Sequence, residues 1–496
     1  MMPIITLTSR EQELENLVVV VSKLSKLPAG LFSAAEKQYI ADQVENRKKD
    51  VVSFNRLEYW IFVVYIRDEN DHSKRLETCR KHGDKVADIM NNASARRVAL
   101  FDVQGLISEV LAVAEGLALG SYSFLKYKTD KENINTLEEI EIYSKTLTEN
   151  IDEEVIVPRP SSLVPPPSSL VPRLNILIDA VSRCRDLINE PNSHLTATIF
   201  SEEVEKMGKA CGASVEILTK SKLEALKMGG ILGVNQGSCE PPTLTVMEWR
   251  PVDAKNKKPV VLVGKGVMYD TGGMNLKPGD TMLNMKDDMS GAAAVAATIY
   301  AIAMAKLPVY VVGLMPATDN RPGEKALVSG DIITMHDGLT VEIINTDAEG
   351  RLLLADALSY AVKFDPELVI DLATLTGSAV RALGKFGSAA LQSGAATELE
   401  SLKKSGFEVY ERLVEFPMWD EYGELVKSDI ADLKNLGPPE ASMISAAKFL
   451  EKFTSYPYIH LDIAGPAFLE KRDSYRGQGG TGFGVRMLFD FVRRMA

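Results

Sequence analysis

The stretch PVVLVGKG, residues 259 to 266, is a short apolar run that ends in glycine and lysine. Its length and its valine content are typical of a strand buried on both faces of a parallel sheet. Further runs of this kind are VYVVGLMPA (309 to 317), TVEIINT (340 to 346) and ELVIDLATL (367 to 375), and the helical patterns between them include residues 291 to 306 and 351 to 364. This alternation predicts an α/β domain with a central, mostly parallel sheet and helices on both faces.

A proline-rich segment divides the chain. VPRPSSLVPPPSSLVPR, residues 157 to 173, contains SSLVP twice. Proline has no N–H and a fixed φ, so the segment suits an extended spacer better than a helix or a central strand. Such a composition is more often a linker than a ligand for a recognition module. We therefore expect a smaller N-terminal α/β domain (1 to 150), a proline-rich linker (151 to 174) and a larger C-terminal α/β domain (175 to 496).

The composition narrows the classes of protein. With 45% hydrophobic and 25% charged residues, the chain is an ordinary globular protein. No apolar run reaches the roughly 18 residues that a membrane span needs, and the start is unlike a secretory signal, so we expect a cytoplasmic protein. A net charge of −12 argues against nucleic-acid binding. The four cysteines form no CxxC pair, which gives no sign of a disulfide framework or a thiolate zinc site.

Charged residues gather where the predicted strands end, which is the edge of an α/β sheet at which ligands bind. They are Lys265, Asp270, Lys277, Asp287, Asp288, Asp347, Glu349 and Arg351. Asp287 and Asp288, taken alone, could be helix-terminus carboxylates favoured by capping and the macrodipole. The whole set is harder to explain in that way, because each unpaired buried anion costs several kcal/mol. Two divalent cations about 3.5 to 4 Å apart would remove that cost, so the pattern predicts a two-metal site.

The ligand types limit which metals are expected. Oxygen-rich sites without thiolates suit zinc or manganese, with magnesium or cobalt as further candidates. Histidine occurs only five times, and no pair has the HExxH spacing of single-zinc proteases.

Four motifs resemble the successive signatures of the leucyl aminopeptidases, the two-metal cytosol aminopeptidase family. They are GKGVMYDTGGMNLKP (264 to 278), MKDDMSGAAAV (285 to 295), NTDAEGRLLLADAL (345 to 358) and DLATLTGS (371 to 378). The likeness covers nearly all of residues 175 to 496, which it identifies as the catalytic metallopeptidase domain. It implies a metal-dependent aminopeptidase that releases N-terminal residues, with a leucine-type preference, from peptides with a free N-terminus. It also implies a homohexamer.

Position by position, the resemblance assigns the metal ligands. Asp270 and Glu349 would bridge two metal ions, Lys265 and Asp288 would complete the tighter site, and Asp347 would complete the more exchangeable one. Water shared by the two ions would attack the peptide bond. Lysine can ligate only as a neutral amine, which requires adjacent cations to lower its pKa.

The remaining roles concern the substrate. Lys277 would reach the substrate carbonyl, and Arg351 would hold a bicarbonate ion that acts as general base. The pocket for the first side chain would be lined by Met285, Thr374 and Gly377. Asp287 would be solvated.

One segment departs from the family pattern, and two other functions remain open. PPEASMISAAKFL (438 to 450) replaces a turn that is usually rich in glycine or alanine, which leaves the leucine preference in question. The carboxylate cluster would also suit another two-metal hydrolase such as a phosphatase, although phosphate clamps usually recruit more arginines. A non-catalytic binding protein is the third hypothesis.

Overall fold

The computed structural model describes residues 2–8, 16–129, 135–144 and 170–496. Two compact units divide the chain: Met1–Ser182 with Lys471–Gly477, and Arg183–Glu470 with Gln478–Ala496. None of the helices in these residues is long and apolar enough to cross a membrane.

The predicted linker lies outside the described residues as far as residue 169. A helix covers Leu170–Asn189, so an extended conformation is wrong for residues 170 to 174. Pro172 is tolerated there because it lies in the first helical turn, where backbone N–H groups have no intrahelical acceptor.

The α-helices are numbered in chain order. They are α1 Ala34–Ala41, α2 His72–Asn92, α3 Ile107–Gly120, α4 Leu170–Asn189, α5 Ala197–Cys211, α6 Lys220–Ala225, α7 Gly229–Asn235, α8 Gly279–Met282, α9 Ser290–Met304, α10 Gly350–Ala361, α11 Gly377–Leu383, α12 Ala396–Glu408, α13 Glu421–Glu424, α14 Ser442–Glu451 and α15 Val485–Met495.

The first unit contains a six-stranded sheet. Its strands are β1 Ile4–Thr8, β2 Leu17–Val21, β3 Val51–Asn55, β4 Trp60–Tyr65, β5 Arg97–Asp102 and β6 Glu139–Ser144. They are ordered β1-β6-β5-β2-β4-β3, and all neighbours are parallel except β3 and β4. Every residue of β2 is buried, as expected for a central strand covered on both faces. This confirms the smaller N-terminal α/β domain.

The second unit contains a nine-stranded sheet. Its strands are β7 Ser214–Leu218, β8 Thr243–Trp249, β9 Val260–Gly264, β10 Gly266–Asp270, β11 Val311–Asn320, β14 Leu368–Ala373, β15 Ser388–Ser393, β16 Leu413–Glu415 and β18 Tyr458–Asp462. The order is β16-β15-β18-β14-β9-β11-β8-β7, with β10 beside β11. The central strands β18, β14, β9 and β11 are mutually parallel. The predicted central sheet is confirmed.

The run TVEIINT does not join that sheet. Only its first residues form a strand, and this strand belongs to a three-stranded sheet made of β12 Ile332–Thr334, β13 Thr340–Glu342 and β17 Leu433–Lys434. A two-stranded ribbon pairs β19 Phe468–Leu469 with β20 Gly479–Gly480. After β13 the chain turns, because the Asn435 side chain accepts from Ile344 N at 2.8 Å and donates to Asn345 O at 2.7 Å. Asp347 and Glu349 therefore lie in a turn before α10 and not at the end of a central strand.

Small residues let the start of α9 approach the sheet closely. A Cβ added to Gly291 would lie 2.0 Å from Leu372 O on β14 and 2.9 Å from Lys265 N. A Cβ on Gly264, the last residue of β9, would lie 2.5 Å from Gly291 O. The SGAAAVAA pattern thus sets how near this helix comes to the carboxyl ends of β9 and β14.

Gly291→Ala is expected to destabilise the protein. The new methyl group would overlap backbone atoms that cannot move independently, at a cost of about 1–3 kcal/mol or more. Thermal unfolding of the variant should occur at a lower temperature than for the parent protein. Gly279→Ala is the matched control, because a Cβ there meets nothing within 4 Å. Equal melting temperatures for the two variants would contradict this account of the packing.

Candidate metal centre

Lys265 and Asp288 are fixed where β9, β14 and α9 meet. Lys265 donates its N–H to Leu372 O at 3.0 Å, and its carbonyl accepts from Ala292 N in the first turn of α9 at 2.9 Å. The Asp288 carbonyl accepts from Val267 N on β10 at 3.2 Å. Backbone bonds to β14, α9 and β10 therefore place both side chains at the carboxyl end of β9.

Three further carboxylates converge at the same edge. Asp270, Asp347 and Glu349 each place one oxygen within 4.8 Å of the others. Asp270 ends β10, and Glu349 directly precedes α10 with a helical backbone (φ −78°, ψ −37°). Asp270 and Glu349 are buried, whereas Asp347 is exposed. An acidic cluster of this kind can hold a cation.

Two lysines pair with these carboxylates. Lys265 Nζ lies 2.6 Å from Asp288 Oδ1 and 2.9 Å from Glu349 Oε1. Lys277 Nζ lies 2.7 Å from Asp270 Oδ2 and 2.5 Å from Asp347 Oδ1. The predicted ligands and Lys277 therefore form one continuous charged cluster.

Burial and mutual repulsion perturb the pKa values of this cluster. Burial raises the pKa of Asp288 well above its usual value, and burial together with Asp270 raises that of Asp347 to about 6. For Lys265, burial lowers the pKa, but Asp288 and Glu349 outweigh it and raise the pKa overall. A divalent cation among these groups would oppose both effects, because it stabilises a carboxylate and a neutral amine.

Several buried atoms of the cluster have no hydrogen-bond partner among the described residues. They are Asp288 Oδ2, Glu349 Oε2, and Nε and Nη1 of Arg351. Burial lowers the pKa of Arg351 to about 10, although Glu349 and Asp462 oppose this shift. Unpaired buried oxygens beside other carboxylates fit metal ligation, and unpaired guanidinium N–H groups fit an anion.

Of the three residues predicted to line a side-chain pocket, Thr374 contacts this cluster. Thr374 donates its hydroxyl to Asp288 Oδ1 at 2.9 Å, and its carbonyl accepts from Lys265 Nζ at 2.9 Å. Met285 is half-buried in a short turn, and Gly377 is the exposed first residue of α11. Their role as a pocket stays a prediction.

Asp287 differs from its expected solvated state. Asp287 is only partly exposed, and burial raises the pKa of its carboxyl group to about 7. The Ser290 hydroxyl donates to the Asp287 carbonyl at 2.5 Å, which holds the turn before α9.

Residues 182–489 match the family model described as the cytosol aminopeptidase family, catalytic domain. The chain belongs to this family. A probable cytosol aminopeptidase of Chlorobaculum tepidum is 45% identical over 384 residues, which are 77% of this chain and 74% of the relative. Another, from Geotalea uraniireducens, is 39% identical over 473 residues, 94% and 92% of the two chains.

Solved structures of related enzymes are similar over almost the whole chain. A mutant of tomato leucine aminopeptidase has a TM-score of 0.84 and 26% identity, covering 99% of this chain and 96% of its own. The bottromycin maturation enzyme BotP in complex with Mn has a TM-score of 0.81 and 28% identity, covering 97% and 99%. The predicted family and fold are confirmed, and the protein is a metal-dependent aminopeptidase. Family membership also favours this activity over the phosphatase and over the non-catalytic binding protein.

Asn320 is a member of this aminopeptidase site that the sequence did not reveal. Its side-chain amide donates to Asp270 Oδ1 at 2.8 Å and to Thr346 O at 3.0 Å. It therefore joins two of the segments that carry carboxylates. The predicted run ended at residue 317, whereas β11 continues to Asn320. Because β11 is parallel to β9, their carboxyl ends lie at the same edge of the sheet. The position of Asn320 just after the predicted strand was therefore the signal that could have revealed it.

Asn320→Ala is expected to weaken metal binding by roughly 10–100-fold, because groups that orient ligands typically contribute that much. Isothermal titration of the metal-free protein with Mn²⁺ measures the effect. Asn256→Ala is the matched control, since Asn256 also bonds backbone carbonyls, Lys258 O and Tyr310 O, both at 2.9 Å, but at the opposite end of the strands. Unchanged Mn²⁺ affinity in Asn320→Ala would rule out an orienting role.

Proposed function

We propose that this aminopeptidase removes single N-terminal residues from peptides, using two divalent cations held by Lys265, Asp270, Asp288, Asp347 and Glu349. The observation that carries the proposal is the 4.8 Å convergence of oxygens from Asp270, Asp347 and Glu349. The unpaired buried oxygens of Asp288 and Glu349 support it, because each is a ligand atom with no protein partner among the described residues. Asp270 and Glu349 would be shared between the two cations. Asp347 would serve the more exchangeable position, which suits its exposure.

Paired divalent cations supply Lewis-acid activation of water and of the scissile carbonyl. Lys277 would donate to the carbonyl oxygen of the substrate as negative charge develops there. Its neighbours favour the charged form: burial lowers the pKa of Lys277, but Asp270 and Glu349 outweigh burial and raise it overall. Asp270 and Asp347 also hold the ammonium group in place.

Arg351 would hold a small anion, for which we infer bicarbonate, that accepts a proton from the attacking water. The unpaired Nε and Nη1 donors of this buried side chain support the assignment. Placing the anion by a guanidinium at the start of α10 also uses the partial positive charge of the helix N-terminus.

The substrate pocket would consist of Met285, Thr374 and Gly377. A thioether and a glycine in such a pocket would suit an apolar first residue, which supports a leucine-type preference. The α-amino group of the substrate would lie near Asp288, so that only peptides with a free N-terminus are cleaved.

Membership of the family supports the proposed metal ions and the proposed assembly. We infer zinc or manganese as the native ions, a homohexameric assembly and a cytoplasmic location. The manganese-bound relative supports the metal, and the name of the curated relatives supports the location.

Hydrolysis assays test the proposal directly. Purified protein is stripped of metal, supplied with Mn²⁺ or Zn²⁺, and given Leu-Gly, N-acetyl-Leu-Gly or p-nitrophenyl phosphate. We expect metal-dependent release of leucine from Leu-Gly alone. Cleavage of the acetylated peptide at a similar rate would overturn the requirement for a free N-terminus. Phosphate release without peptide hydrolysis would show that the protein is a phosphatase and not an aminopeptidase.

A further inference from the structure

Arg381 is a charged residue of α11 that the proposed reaction does not use. It lies one helical turn after Gly377, the glycine proposed for the pocket of the first side chain. Arg381 is exposed, and its guanidinium makes no hydrogen bond or ion pair with another residue that the structure describes. Most exposed charges contact only water, so the place of this one decides whether it has a role.

The guanidinium of Arg381 lies against Gly377. A Cβ added to Gly377 would lie 3.2 Å from Arg381 Nη1. Outside the chain neighbours and the backbone of the helix, no other described atom lies within 4 Å of that position. Residues at i and i+4 share one face of a helix, and long side chains point back toward its N-terminus. The glycine therefore leaves this place to the guanidinium.

The first turn of α11 is held firmly in the domain. The Thr376 hydroxyl accepts from Ala379 N at 3.2 Å and donates to Asp462 Oδ2 at 2.6 Å. Ala379 belongs to a buried apolar cluster that includes Ile444 of α14. The helix that carries Arg381 is thus fixed on its buried face, while Arg381 extends from its exposed face.

A short piece of chain connects this helix to the metal centre. Thr374 donates its hydroxyl to Asp288 Oδ1 at 2.9 Å, and its carbonyl accepts from Lys265 Nζ at 2.9 Å. Gly377 follows three residues later, so the Cα atoms of Thr374 and Gly377 are at most about 11 Å apart. The guanidinium that lies against Gly377 is therefore close to the place where the first residue of a peptide is proposed to bind.

The surrounding sequence gives this position a positive character. Residues 372 to 397 contain no aspartate or glutamate, whereas they contain Arg381 and Lys385. A positive surface attracts a carboxylate and repels an ammonium group. A guanidinium can also bind a carboxylate through two parallel N–H···O bonds. The chemical group that suits Arg381 is therefore a carboxylate of the substrate.

We propose that Arg381 is a specificity-determining residue: it binds the carboxylate of an acidic first residue and disfavours a lysine or arginine at that position. The inference rests on the proposed function, because it requires peptide hydrolysis and a pocket at Gly377. A leucine side chain has no charge to recognise, so the enzyme accepts acidic first residues in addition to apolar ones. A short peptide also carries a carboxylate at its C-terminus, but contact with Gly377 favours the first side chain as its source.

A series of dipeptide amides tests the proposal. Glu-Gly-NH₂, Gln-Gly-NH₂, Leu-Gly-NH₂ and Lys-Gly-NH₂ differ only in the first residue, and the amide removes the C-terminal carboxylate. Arg381→Gln should lower kcat/KM for Glu-Gly-NH₂ by roughly tenfold, mainly through a higher KM, because a charged partner of the bound side chain is lost. The values for Gln-Gly-NH₂ and Leu-Gly-NH₂ should stay within about twofold of the parent, and that for Lys-Gly-NH₂ should rise. Arg381→Lys keeps the charge and should retain part of the preference for glutamate over glutamine.

Lys404→Gln is the matched control, because Lys404 is an exposed residue of α12 whose replacement removes the same charge. It should leave the ratio of the Glu-Gly-NH₂ and Gln-Gly-NH₂ rates unchanged. Equal changes for these two substrates in Arg381→Gln would overturn the proposal, as would no change at all. A loss seen with Leu-Gly but not with Leu-Gly-NH₂ would also overturn it, since the recognised carboxylate would then be the C-terminal one.

Failure of the inference differs from failure of the proposed function. A parent protein that cleaves none of the four amides in the presence of Mn²⁺ or Zn²⁺ would refute the function. A parent that cleaves Leu-Gly-NH₂, together with an Arg381→Gln variant that discriminates glutamate from glutamine as the parent does, would refute the inference alone. Because Arg381 is exposed, the melting temperature of Arg381→Gln should equal that of Lys404→Gln.

Discussion

Glu349→Gln is expected to lower kcat/KM for Leu-Gly by at least roughly a thousandfold, which corresponds to about 4 kcal/mol of lost transition-state stabilisation. The substitution keeps the size of the side chain but removes the charge that Lys265 contacts at 2.9 Å. It also replaces one carboxylate oxygen by an NH₂ group, which cannot ligate a cation. We expect the protein to remain folded, since the backbone of the turn is unchanged.

The control for this variant is Glu367→Gln, an exposed position in the same unit. It should retain full activity and bind two Mn²⁺ ions per chain in a titration of metal-free protein. Glu349→Gln should bind fewer ions or bind them far more weakly. Two ions bound with parental affinity, together with parental activity, would show that Glu349 is not a ligand.

Much of the fold was accessible from the sequence because buried parallel strands leave a simple pattern. The run at 259 to 266 corresponds to β9, and the run at 367 to 375 corresponds to β14. The patterns at 291 to 306 and 351 to 364 correspond to α9 and α10 within a few residues. Because the carboxyl ends of parallel strands meet at one edge, the convergence of the charged residues could also be anticipated.

Other features depend on contacts that are distant in the sequence. The chain leaves β13 after only three residues because Asn435, about ninety positions away, holds the following backbone. Asn320 carries no charge and ends a strand whose length was underestimated. The pairing of Asp371 with His460 depends on the register between β14 and β18, which no local pattern specifies.

Gly350, the residue after Glu349 at the start of α10, leaves room for the Lys265 side chain. Replacing it is expected to have the second large effect on activity. A Cβ added to Gly350 would lie 2.3 Å from Lys265 Cε and 2.7 Å from Lys265 Nζ. The Lys265 side-chain nitrogen contacts Asp288, Glu349 and the carbonyl of Thr374, so it cannot move without losing these contacts. The glycine thus reserves the space in which Lys265 reaches the cluster.

Gly350→Ala is expected to lower kcat/KM for Leu-Gly by about a hundredfold, since a displacement of about 1 Å in an active site has effects of that size. The overlap with Lys265 lowers the free energy of unfolding, whereas alanine favours a helix over glycine by about 1 kcal/mol. Because these two effects oppose each other, thermal stability should change little. Gly279→Ala is the matched control, because Gly279 is also the first residue of a helix but has open space around its Cα. Gly350→Ala should lose activity and Mn²⁺ affinity together, while its melting temperature stays near that of Gly279→Ala. A fall in melting temperature without loss of Mn²⁺ affinity would instead mean that the methyl group disturbs the helix and leaves Lys265 in place.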